Sequence, residues 1–309
     1  MAQLNPQTSG GLSTYLMTYL EKVFLTRLES KLLLAQFGKK FKLRKGQGSS
    51  MNWRRWSNLA AATTALSEGV SPNGTALTLN SVTVTLAQYG DFVTVTDFLS
   101  MTAVNDVMKE AVDLLSYGGA LTIDQIIRNA LDANFTIQFA DAANNATEAA
   151  VATGLDQFGS VEVRAAVEAL RNADAPEYDD GMYVGVIHPF AEGNLIAESA
   201  AGTGMEALKH TDATPTIKGL IGSIYGVKLY RSSNIRAVTA DVYRNLIFGK
   251  DAYGVVDIEG GALDMIIHPT GSAGSEDPLN QRATVGYKVT FASAVLQAAR
   301  GIRVSAYGI

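Results

Sequence analysis

Cysteine is absent from the 309 residues, which excludes a disulfide framework, a thiolate metal site and a cysteine nucleophile. Histidine is scarce. His188, His210 and His268 stand far apart, two of them directly before prolines, and no H-x-x-x-H or H-E-x-x-H spacing exists, so no metal ligation is expected. No run approaches the roughly 18 apolar residues of a membrane span. The first twenty residues also lack the charged start and unbroken apolar stretch of a secretion signal, so a soluble protein made in the cytoplasm is expected. The G-x-S-x-G elbow of serine hydrolases is missing, and Gly249-Lys250 lacks the preceding glycine and following Ser or Thr of a phosphate loop. Asp179-Asp180 and Glu276-Asp277 read as solvated turn residues rather than as an acid and base pair. No catalytic residue, cofactor or metal is therefore expected, and the chain does not read as an enzyme.

Hydrophobic residues make up 47% of the chain and charged residues 18%, enough to bury a real core. The 29 glycines and the low aromatic share suit sheet and turns, so mixed α and β is the expected class. Charge is unevenly spread. Residues 1–55 hold ten basic and two acidic side chains, a net +8, which leaves −13 to the rest against the total of −5. A basic arm on an acidic body can bind nucleic acid or lie on the body of an identical neighbour, and the acidic balance favours the neighbour.

The stretch from Asp97 to Asn134 organises the chain. Met101, Val104, Met108, Ala111 and Leu115 fall at helical spacing, widened by Val107, Val112 and Leu114, with Thr102, Asp106, Lys109, Glu110 and Asp113 facing away. Asp97 or Ser100 can cap its start, and Thr122 and Gln125 have capping-box spacing after Gly118-Gly119. The glycines allow one kinked rod or two helices in series. Either way the segment predicts a spine roughly 50 Å long at 1.5 Å per residue.

Before it, Leu16, Leu20, Val23, Phe24, Leu28 and Leu32 predict a helix ending at Gly38, and KKFKLRK (Lys39, Lys40, Lys42, Arg44 and Lys45) reads as a solvated or salt-bridging strand. Leu77, Leu79, Val82, Val84 and Leu86 then alternate with threonines, and Phe92, Val93 and Val95 follow the Tyr89-Gly90-Asp91 turn. Pairing residues 47–65 with 78–96 would give a ribbon of roughly 60 Å at 3.3 Å per residue, longer than its own domain could cover. Trp53, Trp56 and the valines would then need cover from outside the subunit, so arm and ribbon are expected to lie on neighbouring copies. Residues 140–153 read as a loop. Beyond them come a helix over 155–173, a buried strand over 181–187, a helix over 190–199, a polar loop over 200–215 and short strands to the end.

Trp53-Arg54-Arg55-Trp56 puts an aromatic beside a guanidinium on each face of a strand, the pairing that anchors interfaces. This tetrapeptide, with Leu59, Leu66, the run Glu68 to Pro72, Tyr89-Gly90, the long helix, Asp277 to Arg282 and Thr284 to Lys288, resembles the major capsid proteins of tailed bacteriophages. The coat proteins of the podovirus N-four type are the subgroup it is most similar to. The resemblance implies an α+β, Hong Kong 97-like capsid fold with an N-terminal arm (1–48), an extended β-hairpin loop (49–96), a peripheral domain with the spine helix (97–154 and 261–309) and an axial domain (155–260). It implies hexamers and pentamers that close into an icosahedral head around phage double-stranded DNA, in a virion assembled in the host cytoplasm. The implied partners are the chain itself, a portal protein and a separate scaffold or decoration protein, with packaged DNA close by without sequence-specific contact, and no membrane. Residues 49–96 contain no lysine, so crosslinking through the loop is not expected, and the chain has no room for a scaffolding segment before the arm.

The expected subunit contacts are Lys39, Lys40, Lys42, Arg44, Lys45, Trp53, Arg54, Arg55, Trp56, Glu68, Val82 and Val84. The rival readings are a cellular nanocompartment shell of the same fold, a soluble α/β hydrolase using an acidic pair, and a secreted adhesin, the last weakened by the missing export signal.

Overall fold

A computed structural model describes residues 19–25, 27, 32–66, 68–69, 71, 73–103, 106–142, 144–199, 220–238, 241–259, 263–270 and 279–308. In chain order, residues 19–25 are helical, Leu34–Phe37 makes one turn (α1) and Lys39–Leu43 a strand (β1). Strands β2 (Ser50–Trp56), β3 (Leu79–Thr85) and β4 (Ala87–Thr96) lead through α2 (Asp97–Thr102) into the spine α3 (Val107–Asn134). Then follow β5 (Thr136–Phe139), α4 (Glu148–Gly154), α5 (Ser160–Asn172), β6 (Tyr183–Ile187) and α6 (Pro189–Ser199). Strands β7 (Leu220–Ile224), β8 (Val227–Arg231), β9 (Val242–Phe248), β10 (Tyr253–Ile258), β11 (Leu263–His268), β12 (Arg282–Val295) and β13 (Gly301–Tyr307) complete the chain.

The spine is a single helix of 28 residues, about 42 Å long. It runs unbroken through Gly118 and Gly119, and the interruption comes earlier, between Thr102 and Val107. There the Asp106 carboxylate accepts from the backbone N–H of Met108 and Lys109, a full N-cap that restarts the helix, while Thr96 caps α2. Thr122, expected to cap a second helix, instead donates back to the Gly118 carbonyl at 2.8 Å. Of the predicted stripe, Ala111, Val112 and Leu115 are buried with Ile123, Ile127 and Leu131, whereas Met101 and Leu114 are exposed and Val104 lies outside the described residues.

Two sheets share the spine and the regions beside it. In the first, the 14-residue β12 is central: β4 pairs antiparallel along Arg282–Phe291 on one side, and β11 and then β10 pair on the other. β1 adds in parallel to the outer edge of β10. The second sheet has the order β5-β13-β9-β6-β8-β7, with β6 buried at every residue. Its β7 and β8 form a hairpin turned by Tyr225 (φ 49°) and Gly226 (φ 83°), both in the left-handed region that a tight hairpin turn needs. At Gly301 a Cβ would stand 2.4 Å from the Phe135 ring, so the start of β13 can lie against the end of the spine only with glycine there.

Residues 140–153 are not wholly a loop. Thr147 caps α4, whose Val151 is fully buried, and its small alanines let the helix sit close to β13. The helix expected from 155 begins at Ser160, and the 200–215 loop lies outside the described residues.

Candidate functional site

The expected contact residues divide sharply once the hairpin is placed. β2 and β3 pair antiparallel over seven positions, Ser50 with Thr85 through to Trp56 with Leu79, a ladder of roughly 23 Å. That is far shorter than the ribbon predicted, for two reasons. The second leg leaves the hairpin at Leu86, and β4 then pairs with β12 in the body. At the other end the ladder gives out after the Ser57 N–H to Thr78 carbonyl bond, and every described residue from Asn58 to Thr78 is exposed and outside any strand until Leu79.

One face of the hairpin base folds onto its own subunit. Trp53 and Val84 are buried with Leu43, Val256 and Ala292, and Val82 is partly buried against them. The Trp53 ring meets Phe41 at 5.2 Å between centroids and lies over Gly254, where a Cβ would come within 3.0 Å of it. Glycine at 254 is thus what admits the indole. Trp53 and the valines therefore do not need a neighbour's cover, contrary to the sequence reading, because β10 supplies a notch that no periodicity reveals. On the opposite face Arg54 and Trp56 point away, with Trp56 58% exposed.

The basic strand is divided in the same way. Lys39 pairs with Asp251 of its own chain at 3.2 Å and lies 5.7 Å over the Phe41 ring. Lys40, Lys42, Arg44, Lys45, Arg54 and Arg55 are exposed and make no ion pair among the described residues. Arg55 stands close enough to Arg300 to add to the effect of burial, which lowers the Arg300 guanidinium from its ordinary value. Glu68, the only charged side chain between residues 57 and 78, sits apart from all of these and is exposed.

The arm itself is docked on its own spine as far as it is described. Leu20 and Phe24 are buried in the main core, Ser116 donates to the Phe24 carbonyl at 2.6 Å, and the backbone N–H groups of Leu33 and Leu34 donate to the Asp124 carboxylate. Sequence reading missed this anchor, although a carboxylate in line with Ala120, Ile127 and Leu131 on a buried stripe is the legible sign of one.

A second missed cluster ties the spine's end to the second sheet. Asp132, 2% exposed, meets Arg236 at 2.9 Å, Arg244 at 2.6 Å and Arg303 at 3.4 Å. Glu148 receives Arg244 at 2.6 Å and 2.8 Å and Ser305 at 3.2 Å. The Arg244 guanidinium holds the Glu148 carboxyl below its usual range. Three arginines and two carboxylates thus join the end of the spine and α4 to the second sheet.

The acidic pair Asp179-Asp180 is engaged by lysines. Asp179 pairs with Lys250 and Asp180 with Lys228, while Glu276-Asp277 lies outside the described residues. Among the described residues no group of His, Asp and Glu could hold a metal, and no helix is long and apolar enough to cross a membrane.

The family described as phage capsid protein matches residues 78–305. The fold is similar to the capsid of Ralstonia phage GP4, with TM-score 0.69 and 16% identity over 90% of this chain and 92% of that one. It is also similar to the Cyanophage Pam1 capsid, with TM-score 0.60 and 19% identity over 85% and 86%. The holo-SrpI encapsulin complex of Synechococcus elongatus PCC 7942 is similar too, with TM-score 0.58 and 11% identity over 89% and 87%. No curated protein sequence matches.

Proposed function

Since this chain belongs to the phage capsid protein family, with the Hong Kong 97-like capsid fold of a shell-forming protein, we propose that it builds an icosahedral phage head from hexamers and pentamers around double-stranded DNA. The observation that carries this reading is the hairpin tip. Residues 57–78 present Leu59, Leu66 and Leu77 to solvent beyond the last ladder bond, with one charge among 22 residues. A polar solvated loop would not be built this way, whereas a segment that finishes folding on another molecule would.

In this mechanism the body is self-sufficient and the tip is not. Trp53, Val84 and the ladder hold the projection at a fixed exit from its own sheet, and Trp56 with the tip leucines settles on a neighbouring copy. The exposed cations from Lys40 to Arg55 meet acidic surface of the next body, each pair adding only about 0–1 kcal/mol, so apolar burial dominates. The units of this division are the arm 1–48, the loop 49–96, the peripheral parts 97–154 and 261–309, and the axial part 155–260. A portal protein and separate scaffold or decoration proteins join at the head, and no catalysis is involved.

Replacing residues 58–77 by a two-residue turn tests it. The shortened chain is expected to remain folded and soluble and to form no closed particles by electron microscopy. Closed particles of normal size from that variant would defeat the mechanism. The encapsulin likeness supports a second reading, a protein-filled shell, and nuclease-treated particles separate the two by whether they hold DNA or protein cargo.

A further inference from the structure

Asp124 is a carboxylate on the buried face of the spine, 4% exposed, and among the described residues no guanidinium or ammonium is bound to it. Its hydrogen-bond partners are main-chain donors of the arm: Leu33 N–H at 3.3 Å to each oxygen and Leu34 N–H at 3.1 Å. The short helix α1 has no cap of its own, since Leu33 occupies the N-cap position without a side-chain bond, so Asp124 caps it from 90 residues away.

Among the described residues Arg128 is the positive charge that opposes the effect of burial on Asp124. Along the spine, Arg128 stands one turn away, but its donors go to the Asn234 carbonyl at 2.7 Å, to Asn234 Oδ1 at 3.0 Å and to Asn129 Oδ1. Asp132, two turns away, is held by its own arginines. The arm brings no charged side chain between residues 32 and 38, and Lys39 is engaged by Asp251. From β10 comes Tyr253, whose hydroxyl donates to the Leu34 carbonyl at 2.5 Å, and beyond it Tyr178 donates to the Phe37 carbonyl at 3.1 Å. The bonds from Leu33 and Leu34 to Asp124 and those from the two tyrosines thus converge on the turn Leu33–Phe37.

We propose that Asp124 is a proton-sensitive latch for the N-terminal arm, so that taking up a proton at Asp124 tightens the arm on the spine and losing it loosens the arm. Burial raises this carboxyl to about 6 from 3.8, with the arm's N–H groups and Arg128 opposing the rise. The docked state therefore binds more protons than the undocked one between those two values. Docking strengthens as the pH falls from neutral toward 4. For a group moving between those values on undocking, opening is about tenfold more frequent at pH 7.5 than at pH 5.0.

The test is amide hydrogen exchange on the unassembled full chain, so it does not depend on whether shells form. After correction for the intrinsic rate, Leu33, Leu34 and residues 20–25 are expected to exchange about tenfold faster at pH 7.5 than at 5.0, and Asp124→Asn should flatten that difference. Should the variant fail to fold, the carbon-detected titration of Asp124 in the native chain decides. A midpoint near 6 supports the latch. A midpoint at or below 4, or an equal pH response in D124N, overturns it.

Discussion

The balance between apolar and ionic contributions at the hairpin tip can be measured with two substitutions two residues apart. Leu66 is 77% exposed in the lone subunit, so covering it recovers most of the 1.5–3 kcal/mol of a fully buried leucine, about 1–2 kcal/mol. Glu68 is exposed and carries the tip's only charge, and an ion pair there is worth about 0–1 kcal/mol. Each subunit contributes one tip to the shell, so these energies enter once per subunit in the threshold concentration for assembly. Leu66→Ser should raise that threshold about 5- to 30-fold, and Glu68→Gln by no more than about 5-fold. Light scattering against subunit concentration, with particles counted by electron microscopy, reads both. If Glu68→Gln abolished shells while Leu66→Ser left the threshold unchanged, the view that apolar burial drives the contact would be wrong.

Other outcomes concern the subunit itself. Asp132→Asn leaves three arginines facing one another without their shared carboxylate, and should cost about 3–5 kcal/mol in urea unfolding of the unassembled chain. Gly254→Val should lift Trp53 from its notch and cost about 1–3 kcal/mol, with faster hydrogen exchange confined to residues 50–56 and 79–85. Glu148, held below its ordinary value of 4.5, contributes stability that is complete above that value and lost as the pH falls through its lower folded one. Glu148→Gln should therefore flatten the acid limb of the stability curve below about pH 4.5, opposite in sign to the effect of Asp124.

The spine was legible because its stripe repeats over many turns, and so were the buried β6 and the alternating β12 and β13. What could not be read was which segment lies against which. Alternation marks both β3 and β4 as strands, but nothing local says that the first pairs with β2 and the second with β12. The burial of Trp53 depends on a missing side chain at Gly254, two hundred residues on, and absence leaves no pattern. The arm's docking adds to the burial of Leu20 and Phe24 a pair of main-chain donors, which every sequence possesses, so that Asp124 marks an anchor without naming what it holds. Of the twelve expected contact residues, Trp53 and Val84 belong to the subunit's own interior, Val82 lies partly against it, Lys39 pairs within the chain, and the other eight face outward.

Of the two chain crossings between projection and body, one is a single residue and the other is the segment 44–49. Leu86 separates β3 from β4, and its N–H bonds the Ser49 carbonyl at 2.8 Å across the neck. The proposed rings of five and six copies would need different tilts of the projection from one sequence, and those tilts would turn at Leu86 and at residues 44–49, against the hold of Trp53 and Val84 on the body. Because β4 is bonded to β12 for ten residues, torque applied at the far end is carried straight into the sheet that the spine lies against. In the proposed shell the neck would thus be both the place where curvature is set and the route by which one copy's posture bears on the frame of its own body.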